Sequence, residues 1–434
     1  MLIGGIDDLI VDAIYIRRRL AAHGRAPLLL DDLPPTDRRF AIFIPAWDEA
    51  AVIGRMLDRL LERLPDAALS VFVGTYPNDP ETIEAVARVA ERDPRVRLVI
   101  GRRAGPTTKA DCLNQLWQAM LEEERWRGGA RHDAVVLHDA EDIPHSGELR
   151  VLAHHLRTSD AAQLPVLPLP RPGAHMVGGT YLDEFAESHG KTLVVRDAVG
   201  AGLPLAGVGC AVARAMLERI AAARGGAPFD ATSLTEDYEL GLTVAAMGGR
   251  TAFALVRAAH RGPPVGVRAY FPHTLDAAVR QKSRWLLGIA LAGWDRTGWG
   301  RRARVGEWWM RMRDRRGPLA MLVLAAAYLA LVLWLVHFAA TWGQPGDPVI
   351  AGPLAALMAA NGLLLLWRMA MRAAFVGRLY GTTEALMSLP RMMVGNIVAM
   401  IAARRALVRY VAMLRGAPVR WDKTAHDYPD VVPE

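Results

Sequence analysis

A chain of 434 residues has room for two or three domains, or for one sizeable core with appendages. Its 52 Lys and Arg against 45 Asp and Glu leave a formal charge of +7, but no nucleic-acid motif or aromatic-interleaved basic stripe is present, and much of the basic excess lies beside apolar runs. No nucleic acid is expected as a partner; anionic lipid head groups are. Cys112 and Cys210 stand far apart without metal-binding spacing, which excludes a disulfide framework and a zinc site and leaves two buried thiols as the expectation.

Residues 1–38 open on the apolar positions Ile6, Ile10, Ala13, Ile14 and Ile16, interrupted by Asp7, Asp8 and Asp12 and closed by Arg17, Arg18 and Arg19. The stretch is too short and too charged to cross a bilayer, carries no signal-peptide pattern, and reads as an interfacial amphipathic segment. A globular domain follows over 39–300. Phe40–Pro45, Leu69–Thr75, Val96–Ile100 and Ala134–Leu137 read as strands, with helical patterns over 49–64, 81–92 and 109–121 between them. This alternation predicts βαβ units and a parallel sheet with helices on both faces, an α/β fold with its ligands at the carboxyl ends of the strands. Polar clusters fall at those ends, among them His138-Asp139-Ala140-Glu141-Asp142.

The region 301–416 is of another kind. Residues 319–341 form an uncharged apolar run long enough to span ~30 Å of hydrocarbon, and 349–367 form a second. The loop 342–348 has no Lys or Arg, whereas Arg311, Arg313, Arg315 and Arg316 flank one side and Arg368, Arg372 and Arg378 the other. The positive-inside rule places both flanks, and hence the globular domain, in the cytoplasm. Residues 385–403 are apolar but broken by Pro390-Arg391, and 404–415 read as a basic amphipathic helix; an interfacial or re-entrant course fits the arginine better than a kinked span. A tail, 417–434, ends the sequence.

Three motifs carry candidate chemistry, and each has a bland alternative. Asp139 and Glu141, two hard oxygen ligands one residue apart after a strand, suit a shared divalent cation, though a solvated turn explains many such triplets. Thr235-Glu236-Asp237 precedes a helical pattern over 238–247; Thr235 suits a helix cap and the carboxylates suit the dipole, while a carboxylate so placed also suits a general base. Gln281-Lys282-Ser283-Arg284-Trp285 sets Gln281, Arg284 and Trp285 on one helical face, suited to a diphosphate and a stacked ring or to anchoring at a membrane.

In this order the segments resemble the family 2 glycosyltransferases, in particular the processive branch that includes cellulose and hyaluronan synthases. The resemblance covers roughly 40–285. Ile44-Pro45-Ala46-Trp47-Asp48-Glu49 resembles the opening Pro-aromatic-Asn-Glu segment, with Asp for Asn. Lys109-Ala110-Asp111-Cys112-Leu113-Asn114 resembles the Lys-Ala-x-x-Leu-Asn segment at the nucleotide. Asp139-Ala140-Glu141 stands where the Asp-x-Asp motif would, Thr235-Glu236-Asp237 matches Thr/Ser-Glu-Asp, and Gln281 to Trp285 matches Gln-x-x-Arg-Trp. Gly207-Val208-Gly209-Cys210 resembles the glycine-rich acceptor-side loop. Tyr76-Pro77-Asn78-Asp79-Pro80, His138 to Asp142 and Trp421-Asp422-Lys423-Thr424-Ala425-His426 are similar to the bacteriophage adsorption protein B type. That type often carries an extra N-terminal span and a C-terminal domain resembling cyclic di-GMP binders. Neither is in this sequence, so such control is expected only through a partner.

The resemblance implies a GT-A fold with C-terminal transmembrane and interfacial helices, and inverting transfer from a UDP-sugar. An N-acetylhexosamine is the implied sugar, and a growing cell-surface glycan or a lipid-linked molecule the implied acceptor. Asp237, with Glu236, is the implied catalytic pair. Asp139 and Glu141 would hold Mg²⁺ or Mn²⁺. Pro45, Glu49, Asp79 and Lys109 would contact the nucleotide, with Asp79 in place of an absent Asp-Asp pair on the uridine, and Gln281, Arg284 and Trp285 the leaving group and acceptor. The expected setting is the bacterial inner membrane, multi-pass, with membrane lipids and an outer-membrane or periplasmic export protein as partners. Two readings stay open beside it: a non-processive transferase adding one sugar to a lipid carrier, and a silent membrane receptor or scaffold on the same fold.

Overall fold

The computed structural model describes residues 1–24, 26–65, 67–300, 304–342, 352–417 and 427–429. The loop 342–348 lies almost wholly outside these, as do the first residues of the run 349–367, the Trp421 to His426 segment and most of the tail.

Nine strands are described: β1 (Phe40–Pro45), β2 (Leu69–Thr75), β3 (Val96–Ile100), β4 (Ala134–Leu137), β5 (Ala161–Gln163), β6 (Val166–Pro168), β7 (Cys210–Ala213), β8 (Thr251–Phe253) and β9 (Val267–Ala269). Seven of them form one sheet in the order β3-β2-β1-β4-β7-β5-β8, and β6 pairs with β9 alone. The first four strands coincide with the expected ones. The sheet is not wholly parallel, however: β7 runs antiparallel to both β4 and β5. The sequence pattern read only as far as β4, and the short strands beyond it carry too few residues to show a period.

Strand β1 is buried along its whole length, and its side chains alternate between two cores. Phe40, Ile42 and Ile44 join the cluster under the helices Ile53–Arg63 and Pro80–Ala90. Ala41 and Phe43 join the opposite cluster with Leu113, Leu116 and Trp117 of the helix Lys109–Trp126. Burial on both faces explains the continuous apolar run. In register, Pro45 of β1 meets Gly74 of β2, and Phe43 meets Leu137 of β4, so the chain ends that follow these strands open onto one rim. Cys112 and Cys210 are both buried and free, as expected.

Three C-terminal helices are long and apolar enough to cross a membrane: Gly317–Ala340, Gly352–Tyr380 and Thr382–Leu414. At ~1.5 Å per residue the shortest, with 24 residues, reaches about 36 Å. The expected break at Pro390-Arg391 does not occur. Pro390 lies inside one unbroken helix of 33 residues, and the two segments separated in the sequence are continuous. A buried face on both sides of the proline (Ser388 and Arg391, then Val398, Ala402, Ala403 and Ala406) replaces what one lost backbone hydrogen bond removes. Arg391 is buried, donating to Asp183 Oδ1 at 2.7 Å and paired with Glu384 at 2.5 Å.

The segment near the amino end is a helix, Leu2–Ala21. Ile3, Ile6, Ile10 and Ile16 are exposed on it, while Val11 and Tyr15 pack with Met310, Phe375 and Val376. Its acids face arginines beside the apolar helices: Asp7 pairs with Arg316 at 2.5 Å, and Asp8 with Arg313, Arg316 and Arg368 at 2.9, 2.6 and 2.7 Å.

Removing one partner of a buried ion pair leaves the others uncompensated, a loss of about 3–5 kcal/mol. Arg391→Ala should therefore lower the melting temperature in detergent sharply, and Asp183→Leu combined with Arg391→Met and Glu384→Gln should recover most of the loss.

Candidate active site

The carboxyl ends of β1 and β4, the Gly207 loop before β7 and the helices Glu236–Ala246 and Leu275–Leu286 enclose a cleft of about 390 Å³. Pro45, Glu49, Lys109, Asp139, Glu141, Glu236, Asp237, Gln281, Arg284 and Trp285 all line it. Residues as far apart as 45 and 285 therefore line one cleft.

Lys109 stands at the centre. Thr108 caps its helix by accepting from Asp111 N at 3.2 Å, which fixes the first turn and aims the ammonium into the cleft. Nζ donates to Asp139 Oδ1 and lies 3.9 Å from Glu236 Oε1. Burial opposes a charged lysine, but Asp139, Glu236 and Asp237 outweigh it and hold the group well above its usual range. The balance is unfavourable to the acids. Burial, then the Asp237 charge, pushes Glu236 up to about 7, and burial also raises Asp237. One cation faces three carboxylates.

Gly207 makes this arrangement possible. Its φ is +75°, and a Cβ there would stand 2.6 Å from Asp237 Oδ2 and 3.2 Å from Lys109 Nζ. The loop is pinned by a residue the sequence did not single out. Gln163 accepts from Ala206 N at 2.7 Å and donates to Val208 O at 2.9 Å. A lone glutamine in a three-residue strand gives no signal in a sequence.

The structure revises several local expectations. Strand β4 stops at Leu137, so strand alternation does not place Asp139 and Glu141. Both line the cleft from a turn, in which Asp142 accepts from Asp139 N at 2.9 Å and Asp142 N donates to Asp139 O at 3.2 Å. Thr235 precedes its helix without a side-chain cap, and its hydroxyl packs on Gly288, where a Cβ would lie 2.6 Å from Oγ1. Asp79 is not on the cleft wall. Its carboxylate is taken by backbone, accepting from Asp48 N at 2.5 Å and from Thr82 N at 3.4 Å, so it caps the helix Pro80–Ala90 and braces the Trp47-Asp48-Glu49 turn.

On the far wall, Gln281, Arg284 and Trp285 share the cleft-facing side of their helix. Arg284 forms no ion pair among the described residues, and Trp285 lies edge-on to Tyr181 at 6.2 Å. Glu239, in the helix after Asp237, is buried and held by Arg296 at 2.5 Å and Ser233 at 2.7 Å.

No three His, Cys, Asp or Glu side chains among the described residues form a metal cage of their own. Two carboxylates, Asp139 and Glu141, on a wall with surplus negative charge fit a different class of site. Mg²⁺ and Mn²⁺ bind through one or two carboxylates and complete their shell with substrate phosphates and water.

His138, beneath this turn, is fully buried between Asp142 at 3.0 Å and Glu148 at 3.1 Å. Burial opposes its charge, but the two carboxylates raise it to about 10. Two acids against one imidazolium still leave net negative charge, so burial raises Asp142 as well. With the folded value above ~6.5 unfolded, the stabilisation is complete below that pH and is lost as pH rises toward 10. Melting temperature should fall between pH 6.5 and 10, and His138→Gln should lower it and flatten that slope.

Residues 35–288 match the family described as "Glycosyltransferase like family 2". Over 458 aligned positions, 99% of this chain is 35% identical to the bacteriophage adsorption protein B of Escherichia coli K12 and to the bacteriophage N4 adsorption protein B of Escherichia coli O157:H7. The chain spans 61% of the length of these curated relatives. A mannosyltransferase from Pyrobaculum calidifontis, solved with GDP-Man and Mn²⁺, has the same fold with a TM-score of 0.54 at 20% identity, over 93% of this chain and 96% of its own. The cleft thus lies in a GT-A fold with apolar C-terminal helices, and the chain is an enzyme of the family 2 glycosyltransferases.

Proposed function

We propose that this chain is an inverting transferase moving a sugar from a nucleoside diphosphate to an acceptor hydroxyl at the cytoplasmic face of a membrane. The observation that carries the reading is the single cation Lys109 among Asp139, Glu236 and Asp237, at the end of a cleft that continues to Arg284 and Trp285. Asp237 is the base. Buried and raised above the ordinary carboxylate range, it is a stronger proton acceptor than a solvated aspartate, and Gly207 leaves space for the acceptor hydroxyl to approach. Glu236 shares the titration and helps set its position. Glu49 and Lys109 hold the nucleotide end, with Asp79 bracing the turn that carries Glu49. Asp139 and Glu141 would hold the divalent cation, which supplies neutralisation of the leaving diphosphate. Arg284 adds a fixed positive charge on the opposite side, and Gln281 and Trp285 form the acceptor wall.

UDP-N-acetylhexosamines head the panel of donors, and a cell-surface glycan or lipid-linked molecule is the acceptor. The helices Gly317–Ala340 and Gly352–Tyr380 cross the membrane, with their arginine flanks and the transferase domain on the cytoplasmic side. The helix Thr382–Leu414 lies along the interface, because Arg391 faces Asp183 of the transferase domain rather than lipid. The helix Leu2–Ala21 lies beside it at the same level, exposed isoleucines toward the acyl boundary.

Asp237→Asn should reduce donor turnover by about 10²–10⁴-fold while nucleotide binding stays near wild type. A thermal-shift panel of nucleotide sugars with Mn²⁺, followed by release of the free nucleotide, measures both; full activity in the variant refutes the assignment. A base must be ionised, and these acids ionise above the usual range. The rate should therefore fall on acidification at a pH above that of an ordinary aspartate, and a profile matching an unperturbed carboxylate would contradict the assignment.

A further inference from the structure

The helical stretch from Gly179 to Ala198 is interrupted by a π-helical turn, Ser188–Thr192. Such turns weaken local hydrogen bonding and recur at functional sites. Three consecutive residues of this one face three neighbours. His189 lines the cleft. Gly190 abuts the second apolar helix, where a Cβ would lie 2.8 Å from the Phe375 ring. Lys191 pairs with Asp12 of the helix Leu2–Ala21 and, at 2.8 Å, with Glu187. The backbone that carries the His189 ring is therefore fixed from behind.

The ring itself is fixed too. Nδ1 accepts from Val166 N at 3.0 Å, which places the ring proton on Nε2. Phe185 and Phe253 pack against the ring at 5.0 and 5.8 Å. The residue is 8% exposed, and Nε2 has no hydrogen-bond partner among the described residues. Burial pushes its pKa down to about 3, so it stays neutral at working pH. With its lone-pair nitrogen occupied, the ring cannot serve as a base, and without charge it does little for a diphosphate. What it offers the cleft is one oriented N–H donor in an apolar wall. That wall adjoins the Gly207 loop: Phe185 and Ala206 pack on the same small core of Val166, Val208 and Val267.

We propose that His189 binds substrate by donating from Nε2–H to an uncharged hydroxyl or carbonyl oxygen of the sugar held beside the Gly207 loop. The inference rests on the sugar-transfer reading. A buried donor left unpaired by the wrong ligand penalises that ligand, so this contact also selects which sugar occupies the position.

Two variants separate binding from architecture. Asparagine sets an amide oxygen near the Nδ1 position and drops the Nε2 donor; glutamine reaches an N–H toward Nε2 and drops the Nδ1 acceptor. Each is titrated with UDP, with GDP and with the nucleotide sugar giving the largest shift in the panel, and KM and kcat are measured for donor and acceptor. His189→Asn should keep the melting temperature and the affinity for the free nucleotide. It should weaken the nucleotide sugar, or raise the acceptor KM, about tenfold, the loss of one neutral hydrogen bond, with kcat little changed. The donor outcome identifies the transferred sugar as the ligand and the acceptor outcome identifies the acceptor; either supports the proposal. His189→Gln should melt earlier yet recover the affinity. Unchanged KM values in His189→Asn, or an equal loss for the free nucleotide, overturn the proposal. Absence of sugar transfer in the wild-type chain would instead refute the activity, while the comparison of nucleotide with nucleotide sugar still tests the contact.

Discussion

A lysine ammonium surrounded by three carboxylates in a largely buried wall is the constraint around which the cleft is built. Lys109 cannot neutralise Asp139, Glu236 and Asp237 together, and burial raises the carboxyl pKa values of Glu236 and Asp237. The arrangement persists because each participant is held by a rigid element. The capped first turn of the helix Lys109–Trp126 aims the lysine, the turn after β4 presents Asp139, and the start of the helix Glu236–Ala246 presents the other two. Gly207 closes the group from above, and Gln163 keeps that glycine in place. Such a cluster matches a substrate that brings phosphates and a cation together.

The apolar helices are joined to the transferase domain by apolar clusters, in which Val398 packs with Tyr181 and Val279, Ala406 with Leu287, and Phe375 with Val195, and by ion pairs as well. Arg391 reaches Asp183, Arg372 reaches Glu187 at 3.4 Å, and Arg196 meets Asp314 at 2.8 Å just before the first apolar helix. Such pairs add little stability over a well-packed apolar surface, but they tolerate only one geometry. They set the cleft at a defined distance from the apolar helices.

Much of the fold was legible because β1, β2 and β4 are buried along their whole length and bounded by turn residues, a pattern few alternatives share. The motif residues were legible as types but not as contacts. Asp79 follows a strand and precedes a proline, as a ligand-binding acid would, yet that same position makes it a helix cap. The placement of Asp139 and Glu141 on the cleft depends on a turn held by Asp142, not on the strand pleat. Gln163 and His189 gave no pattern, since their roles arise from β5, the Gly207 loop and a π turn meeting in space. Arg391 read as an obstacle to burial because its partner, Asp183, lies 208 residues away.

The pairing of Asp7 and Asp8 with Arg313, Arg316 and Arg368 also bears on how the molecule is made. These contacts join residues separated by about 305 to 360 positions. Loops of this length are costly in entropy to close, so these pairs form only in a chain whose intervening domain is already compact.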